Sequence, residues 1–561
     1  MGGGPPGLAI VQPTWLPRGD AVYEEKRITL LESLAEKVPE ELRLPADMTS
    51  NPPIVDVSSV PVTCGILSAK EIQITESYDA LGLAEAIAAK QLSAVEVATA
   101  FSKRAMIAHQ LTCCLTQWFM DVAVKRAQEL DDYLEKHGKP VGPLHGVPIS
   151  IKEHMPIAET YSSQGSLAST VFDKKDSQMV AMLRKMGAVF YCKTNQPQAI
   201  MHLESTSHYG RTLNPFNIHL SAGGSSGGEA ALIAMKGSVL GVGTDIGGSI
   251  RCPSAFCGIY GFKPTTCTLP MQGFLSHAFS AELNVECSTG PMCRTLRDAH
   301  LFMKLLVDAK PWLEDPKLIP TPWTGLHTSA PTRLKIGIIE NDGFIIPQPP
   351  VQRAIAWAKQ RLSDGKFASQ FEVKPFTPYH AADGWTKVRR MYWPDGGAVT
   401  ISGIQEGGEP VHALTEWIMA DAKPHGMLDA EQVNQLRGQR DQFRLAFAER
   451  WTEQDVDVVI GPAYVGPACA HETAFYWTYT SLYNLVDYPG LVFPTPLKTE
   501  KGEKYAQDYK PLSKECQHVK ELWEQSSFEG APIDLQLNAR RYHDNELFGA
   551  MAMLKEALEL P

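Results

Sequence analysis

Apolar residues recur at helical spacing early in the chain. Across residues 77–138, Ala80, Leu83, Ala84 and Ile87 form one stripe, and Ala98, Phe101 and Ala105 another, which predicts helix throughout. Upstream, prolines punctuate residues 1–75, and one amphipathic helix is predicted over residues 21–37, ending before Val38-Pro39. That segment reads as an arm wrapped on a core. After Gly142 the period changes. Val147-Pro-Ile-Ser-Ile-Lys152 alternates with period two, so Ile149 and Ile151 share one face while Ser150 and Lys152 share the other. Asp176 is placed to cap a helix that Gly187 ends, and residues 188–192 read as a buried strand. Residues 310–455 are helix-rich, and 455–462 and 490–494 are again strand-like. Strands alternating with helices predict an α/β fold, a sheet with helices packed over it. No repeat is present, which excludes a solenoid.

Composition narrows the class. The 561 residues are 44% hydrophobic and 20% charged, as expected of a globular chain with a sizeable core. The net charge of −11 and the absence of Lys/Arg clusters argue against nucleic acid as a partner. The most apolar long stretch, residues 228–243, is short and carries Glu229 and Lys236, so no membrane span is expected. Met1-Gly-Gly-Gly-Pro-Pro6 lacks a secretory pattern, and Pro6 stands where a myristoylation motif wants Ser or Thr. A cytoplasmic location is the expectation. Eleven scattered cysteines without a C-x-x-C pair suggest reduced thiols rather than zinc ligands or disulfides.

The chemistry concentrates in one tract. It reads Gly223-Gly-Ser225-Ser-Gly-Gly-Glu229, then Gly243-Thr-Asp-Ile-Gly-Gly-Ser249-Ile-Arg251-Cys-Pro253. A flexible linker would not have apolar helix-like and strand-like residues woven through it. A P-loop would end in Gly-Lys-Ser/Thr, and the dinucleotide glycine spacing is missed by one. Glycines beside Ser249 let backbone N–H groups turn inward as a nest for a developing oxyanion. Gly223-x-Ser225-x-Gly227 formally matches a nucleophile elbow, but residues 214–222 look like a turn-bearing loop, and neither His277 nor His300 is marked as a base. Ser363-Asp-Gly-Lys366 sits in a turn and is read as chance. Lys152, ending an apolar strand, is the better base.

Together these motifs resemble the amidase signature family. Gly-Gly-Ser-Ser-Gly-Gly-Glu, the 24-residue step from Ser225 to Ser249, and Gly-Gly-Ser-Ile-Arg-x-Pro resemble its signature. Gly146-Val-Pro-Ile-Ser-Ile-Lys-Glu153 resembles its lysine segment; Lys193-Thr-Asn195, Thr212-Leu-Asn-Pro215, Gly258-x-x-Gly-Phe-Lys-Pro264 and Gly530-Ala-Pro-Ile-Asp-Leu-Gln536 resemble its flanking motifs. The resemblance covers roughly residues 75–560 and looks closest to fungal acetamidases and general amidases. It implies an α/β/α sandwich with a mixed central sheet and an N-terminal helical arm. Residues 1–75 would be the arm and 76–561 the amidase domain, with its catalytic core at about 140–310 and 455–561 and a substrate-side insertion between.

The resemblance also implies roles. Ser249 would carry the acyl group, Ser225 would bridge, and Lys152 would be base and acid. The N–H groups of Ile246, Gly247, Gly248 and Ser249 would form the oxyanion hole, while Ile200 and Ser225 would touch the substrate. The expected reaction is hydrolysis of small aliphatic or aryl carboxamides, with carbamates such as ethyl carbamate and esters as further substrates, and with no metal or cofactor. Related amidases often dimerise, so a homodimer is one expectation. A partner-bound subunit releasing ammonia for tRNA-dependent amidation and a catalytically retired binding protein are the alternatives. Asp245 and Arg251 read as a buried ion pair bracing the loop. Thr244 either hydrogen-bonds near the relay or fills its strand. Ser226, His145 and His154 read as structural, and Phe475, Tyr476, Trp477 and Tyr479 as core.

Overall fold

The structure is a computed structural model that describes residues 7–14, 16–50, 54–275, 284–329 and 331–560. The N-terminal hexapeptide and His277 lie outside these residues. Eleven strands form one mixed sheet. In chain order they are β1 (Leu115–Trp118), β2 (Pro148–Lys152), β3 (Val189–Thr194), β4 (Leu240–Asp245), β5 (Tyr260–Lys263), β6 (Ser288–Cys293), β7 (Leu334–Ile338), β8 (Phe371–Pro375), β9 (Val458–Pro462), β10 (Gly490–Lys498) and β11 (Pro532–Ala539). Across the sheet the order is β1-β3-β2-β4-β6-β5-β10-β11-β9-β7-β8. Strands β3, β2 and β4 run parallel to one another, and antiparallel pairs link β4 through β6, β5, β10 and β11 to β9.

Helices cover the sheet, as the α/β/α expectation requires. The ones that matter to the site are α1 (Ala21–Ala35), α2 (Ala94–Thr112), α3 (Met120–His137), α4 (Gln178–Lys185), α5 (Gly227–Ala234), α6 (Arg251–Phe256), α7 (Ala381–Tyr392), α8 (Ala430–Glu453) and α9 (Thr478–Leu485). Helix α2 starts on a Ser93/Glu96 capping box and is reinforced from α3, where Asp131 accepts the N–H groups of Ala94 (2.7 Å) and Val95 (3.0 Å). It ends at Cys113, which takes the left-handed conformation. The chain then reverses into β1, a strand that the helical reading of residues 77–138 passes over. Four residues are too few to break a 3.6 period visibly.

Three further expectations are corrected. Asp176 does not cap α4; Ser177 holds that position, and Asp176 instead pairs with Arg184 and accepts the N–H of Ala158. The helix-rich stretch 310–455 also supplies β7 and β8 to the common sheet. Residues 214–222 are not a loop: Leu213–Asn214 and Asn217–Ser221 pair as a small hairpin. It lies outside the main sheet, so the nucleophile-elbow context is absent all the same.

The described residues before residue 58 are tied to the rest of the chain by buried polar groups as well as by apolar ones. The Gln110 side chain on α2 donates to Leu42 O and accepts from Leu44 N, both at 2.8 Å, while its main-chain carbonyl accepts Val11 N at 2.9 Å. Arg27 of α1 donates to the carbonyl of His208 at 2.7 Å, and Val57 N donates to Pro215 O. Gln110→Ala strands a buried N–H and a buried carbonyl, so it costs about 2 kcal/mol. In limited proteolysis the variant is cut within residues 36–58 before the core is touched. Cleavage kinetics like those of the parent would show that Gln110 does not hold the arm.

Candidate active site

The site forms where three strand ends meet two glycine-rich loops. Lys152 ends β2, Thr194 ends β3, and Thr244-Asp245 end β4; because these strands are parallel, their carboxyl ends share one edge. Lys152 is fully buried, with Nζ 2.6 Å from Ser225 Oγ and 3.0 Å from Thr244 Oγ1. Thr244 thus belongs to the polar cluster rather than merely filling its strand. Among the described residues no carboxylate lies within ion-pair distance of this lysine. Burial drives its pKa down to about 7, against weak opposing pulls from Cys287, Asp245 and Glu229.

The first serine loop joins the hairpin to α5. Its Gly224–Ser225 peptide is cis. Gly223 has φ +83°, and a side chain there would meet Pro253; one at Gly224 would meet the backbone of residues 202–204. Ser205 stitches the loop by donating to Gly223 O and accepting Gly227 N. Ser226 N donates to Ser249 O at 3.1 Å, which joins the two serine loops.

The second loop, between β4 and α6, is organised by one carboxylate. Asp245 accepts the N–H groups of Gly248 (2.8 Å), Ile250 (3.1 Å) and Arg251 (3.3 Å), the Arg251 guanidinium twice at 3.0 Å, and Asn484 of α9 at 2.9 Å. Burial alone would raise this carboxyl, but Arg251 overrides it and holds Asp245 well below the usual carboxylate range. The expected ion pair is present and fully buried. Two carbonyls are turned the other way: Ile246 O accepts Tyr392 Oη (2.9 Å) from α7, and Gly247 O accepts Thr480 Oγ1 (2.8 Å) from α9. Both glycines leave room that a side chain would take. A Cβ on Gly247 would sit 2.6 Å from Tyr392 Oη, and Gly248 has φ +136° with Thr480 and Cys252 against it.

The N–H groups of Ile246, Gly247 and Ser249 are left without an acceptor among the described residues, and Ser249 is the most open of the three expected catalytic side chains. The expectation of four free donors is corrected here. Gly248 N–H is spent on Asp245, because the carboxylate that folds the loop lies directly beneath it.

A cavity of about 340 Å³ opens beside the cluster. Thr244 and Ile246 border it, Ile200 and Met201 form one wall, and Leu269, Phe274 and Leu318 make it largely apolar. Ile200 therefore lies at the cavity, on a left-handed turn with Ala199. His154, read as structural, also lines the cavity, with Nε2 3.4 Å from Thr244 Oγ1 and Nδ1 2.8 Å from Gln196 Oε1. His145 caps Val141 N, away from the lysine. Trp477 and Tyr479 are buried, while Phe475 and Tyr476 are partly buried and pack on Trp417. His300 is occupied by Trp323 Nε1 and Leu326 N. Tyr392, Thr480 and Asn484 brace the loop from well over a hundred residues away, so no local pattern marks that role. Glu229, inside the glycine–serine motif, is buried against the hydroxyls of Ser150 and Thr194.

The amidase family model matches residues 96–548. A Schizosaccharomyces pombe protein whose name places it among amidases is 43% identical over 502 residues, 89% of this chain and 92% of its own. The acetamidase of Emericella nidulans is 34% identical over 537 residues, 92% and 95% of the two chains. A solved fatty acid amide hydrolase superposes with a TM-score of 0.90 at 34% identity, covering 97% of each chain.

The loop's dependence on Asp245 is measurable. Asp245→Ala leaves Arg251 buried and unpaired, so denaturant unfolding should show a loss of about 3–5 kcal/mol. A loss below 1 kcal/mol would mean that the loop is held by other contacts.

Proposed function

The chain belongs to the amidase family and is an amide hydrolase; we propose that it cleaves carboxamides through an acyl-enzyme on Ser249, with Ser225 and Lys152 as the proton relay. One observation carries this reading: a fully buried lysine 2.6 Å from a serine hydroxyl, beside a loop with three uncommitted N–H groups. A free lysine is only about 0.04% neutral at pH 7, whereas a pKa near 7 makes the amine form abundant. Neutral Lys152 draws the proton of Ser225, which draws that of Ser249. Ser249 Oγ attacks the carbonyl carbon, and the charge that develops on its oxygen meets the N–H groups of Ile246, Gly247 and Ser249. The proton held on Lys152 returns through Ser225 to the leaving nitrogen, which departs as ammonia or an amine. Water then repeats the attack on the ester and frees the acid.

The apolar cavity fits aliphatic or aryl acyl groups, and the same machinery would accept carbamates and esters. Ile200 would touch the substrate from the cavity wall. Thr244, which shares Lys152 with Ser225, fixes the amine between two hydroxyls.

Ser249→Ala and Lys152→Ala should each lower kcat/KM on a simple aryl amide by on the order of 10³-fold or more without shifting the unfolding midpoint appreciably. Retained turnover in Ser249→Ala would overturn the nucleophile assignment. Because Lys152 must be neutral, kcat/KM should fall as pH drops below about 7. A rate independent of pH from 5 to 9, with chemistry limiting, would exclude a lysine base.

A further inference from the structure

In a trans peptide the C=O of one residue and the N–H of the next point in opposite directions, so a donor that pins the carbonyl also aims the N–H. Among the described residues only the Gly224–Ser225 peptide is cis, so this holds throughout the second serine loop. Each of that loop's three uncommitted N–H groups has a pinned carbonyl behind it. For Ser249 it is Gly248 O, which accepts Cys252 N (2.7 Å) at the start of α6. For Ile246 it is Asp245 O, which accepts Asn484 Nδ2 at 3.3 Å, while Arg251 fixes that amide by donating to its Oδ1 at 2.6 Å. For Gly247 it is Ile246 O, which accepts the Tyr392 hydroxyl at 2.9 Å.

Tyr392 comes from a different part of the chain than the other two donors. It is the last residue of α7, in the stretch 310–455 expected to lie on the substrate side. That helix end is anchored: the Arg389 guanidinium lies over the rings of Trp385 (5.3 Å) and Trp417 (4.2 Å) and pairs with Asp421 at 3.2 Å. The phenol itself is buried. Burial, helped by the charge of Asp245, raises its pKa far above the ordinary range, so the hydroxyl stays a donor at working pH.

We propose that Tyr392 is a positioning residue of the oxyanion hole: by donating to Ile246 O, it aims and polarises the Gly247 N–H that meets the developing charge. This rests on Ser249 being the nucleophile. A hydrogen bond accepted by an amide carbonyl strengthens the N–H of the same amide as a donor. The gain is largest where negative charge develops, so it favours the transition state over the bound substrate and belongs in kcat rather than KM. The next carbonyl supplies an internal comparison. Thr480 Oγ1 donates to Gly247 O at 2.8 Å, but the N–H of that peptide is Gly248's, which is spent on Asp245. A hydroxyl brace of the same kind there aims no donor at the substrate.

Tyr392→Phe keeps the ring and removes only the hydroxyl. On a simple aryl amide its kcat should fall roughly tenfold with KM little changed, less than the roughly 10²–10³ that loss of a direct donor costs. The readout that a merely structural role would not move is affinity for an oxyanion mimic. A trifluoromethyl ketone takes Ser249 Oγ at its carbonyl carbon: the new C–O bond forms, the carbonyl π pair becomes the oxyanion, and the serine proton passes through Ser225 to Lys152. The matching trifluoromethyl carbinol fills the same space but has no carbonyl to attack. Tyr392→Phe should weaken the ketone as much as it lowers kcat and leave the carbinol within about twofold, whereas Thr480→Val should weaken the two alike. Equal losses of ketone and carbinol in Tyr392→Phe overturn the proposal. So does a loss selective for the ketone in Thr480→Val, because bracing of the loop alone would then suffice; that variant decides the matter where Tyr392→Phe fails to fold. Ser249→Ala, run alongside, separates the two claims. Turnover in that variant sinks the nucleophile reading, whereas an inactive Ser249→Ala with equal losses in Tyr392→Phe sinks only the role of Tyr392.

Discussion

A charged ammonium shut away from water, with no carboxylate touching it, is costly, and Lys152 is placed so that this cost is met by giving up the charge. Everything else at the site follows from that exclusion. Among the described residues the side-chain partners of Nζ are the hydroxyls of Ser225 and Thr244, which can donate to an amine as well as accept from an ammonium. They also pass protons. On the proposed mechanism, the surroundings that lower the Lys152 pKa also supply its route to Ser249 through Ser225.

Charge is handled in the opposite way one strand along. Asp245 is as deeply buried as Lys152, yet it remains ionised because Arg251 lies against it and further donors saturate its oxygens. The pair is structural, and its work is geometric. By absorbing the N–H groups of Gly248, Ile250 and Arg251 it curls the loop, and Tyr392 and Thr480 then hold the carbonyls of Ile246 and Gly247 outward. The remaining N–H groups are left uncommitted because the rest of the loop is so fully committed. The glycines suit the same packing: Gly248 has φ +136° with Thr480 and Cys252 against it, and a Cβ on Gly247 would push on the Tyr392 hydroxyl.

Much of this was legible in the sequence. The alternation through Lys152, the glycine–serine tract and the Asp245/Arg251 pair are local patterns, and local patterns carry their physics with them. Strands β1, β7 and β8 were not legible, because five residues or fewer inside helical surroundings leave no period to read. Asp176 has the chemistry of a cap, but Arg184, one helix length away, competes for it. The spent N–H of Gly248 could not be read at all, since it depends on where Asp245 points. Tyr392 and Thr480 reach the loop only through the fold.

The sheet explains why such distant pieces meet. Three parallel strands, β3, β2 and β4, deliver Thr194, Lys152 and Thr244 to one edge, and the loop that leaves β4 carries Ser249, whose carbonyl accepts Ser226 N of the first serine loop. Helix α5 packs against these strands from the Ser225 loop, which places Glu229 beneath the same lysine that Ser225 faces. Ser225 and Glu229 thus stand at two ends of one short turn, the first against the Lys152 amine and the second against Ser150 of the strand that bears it. A substitution that rotates the first turn of α5 would disturb both contacts together.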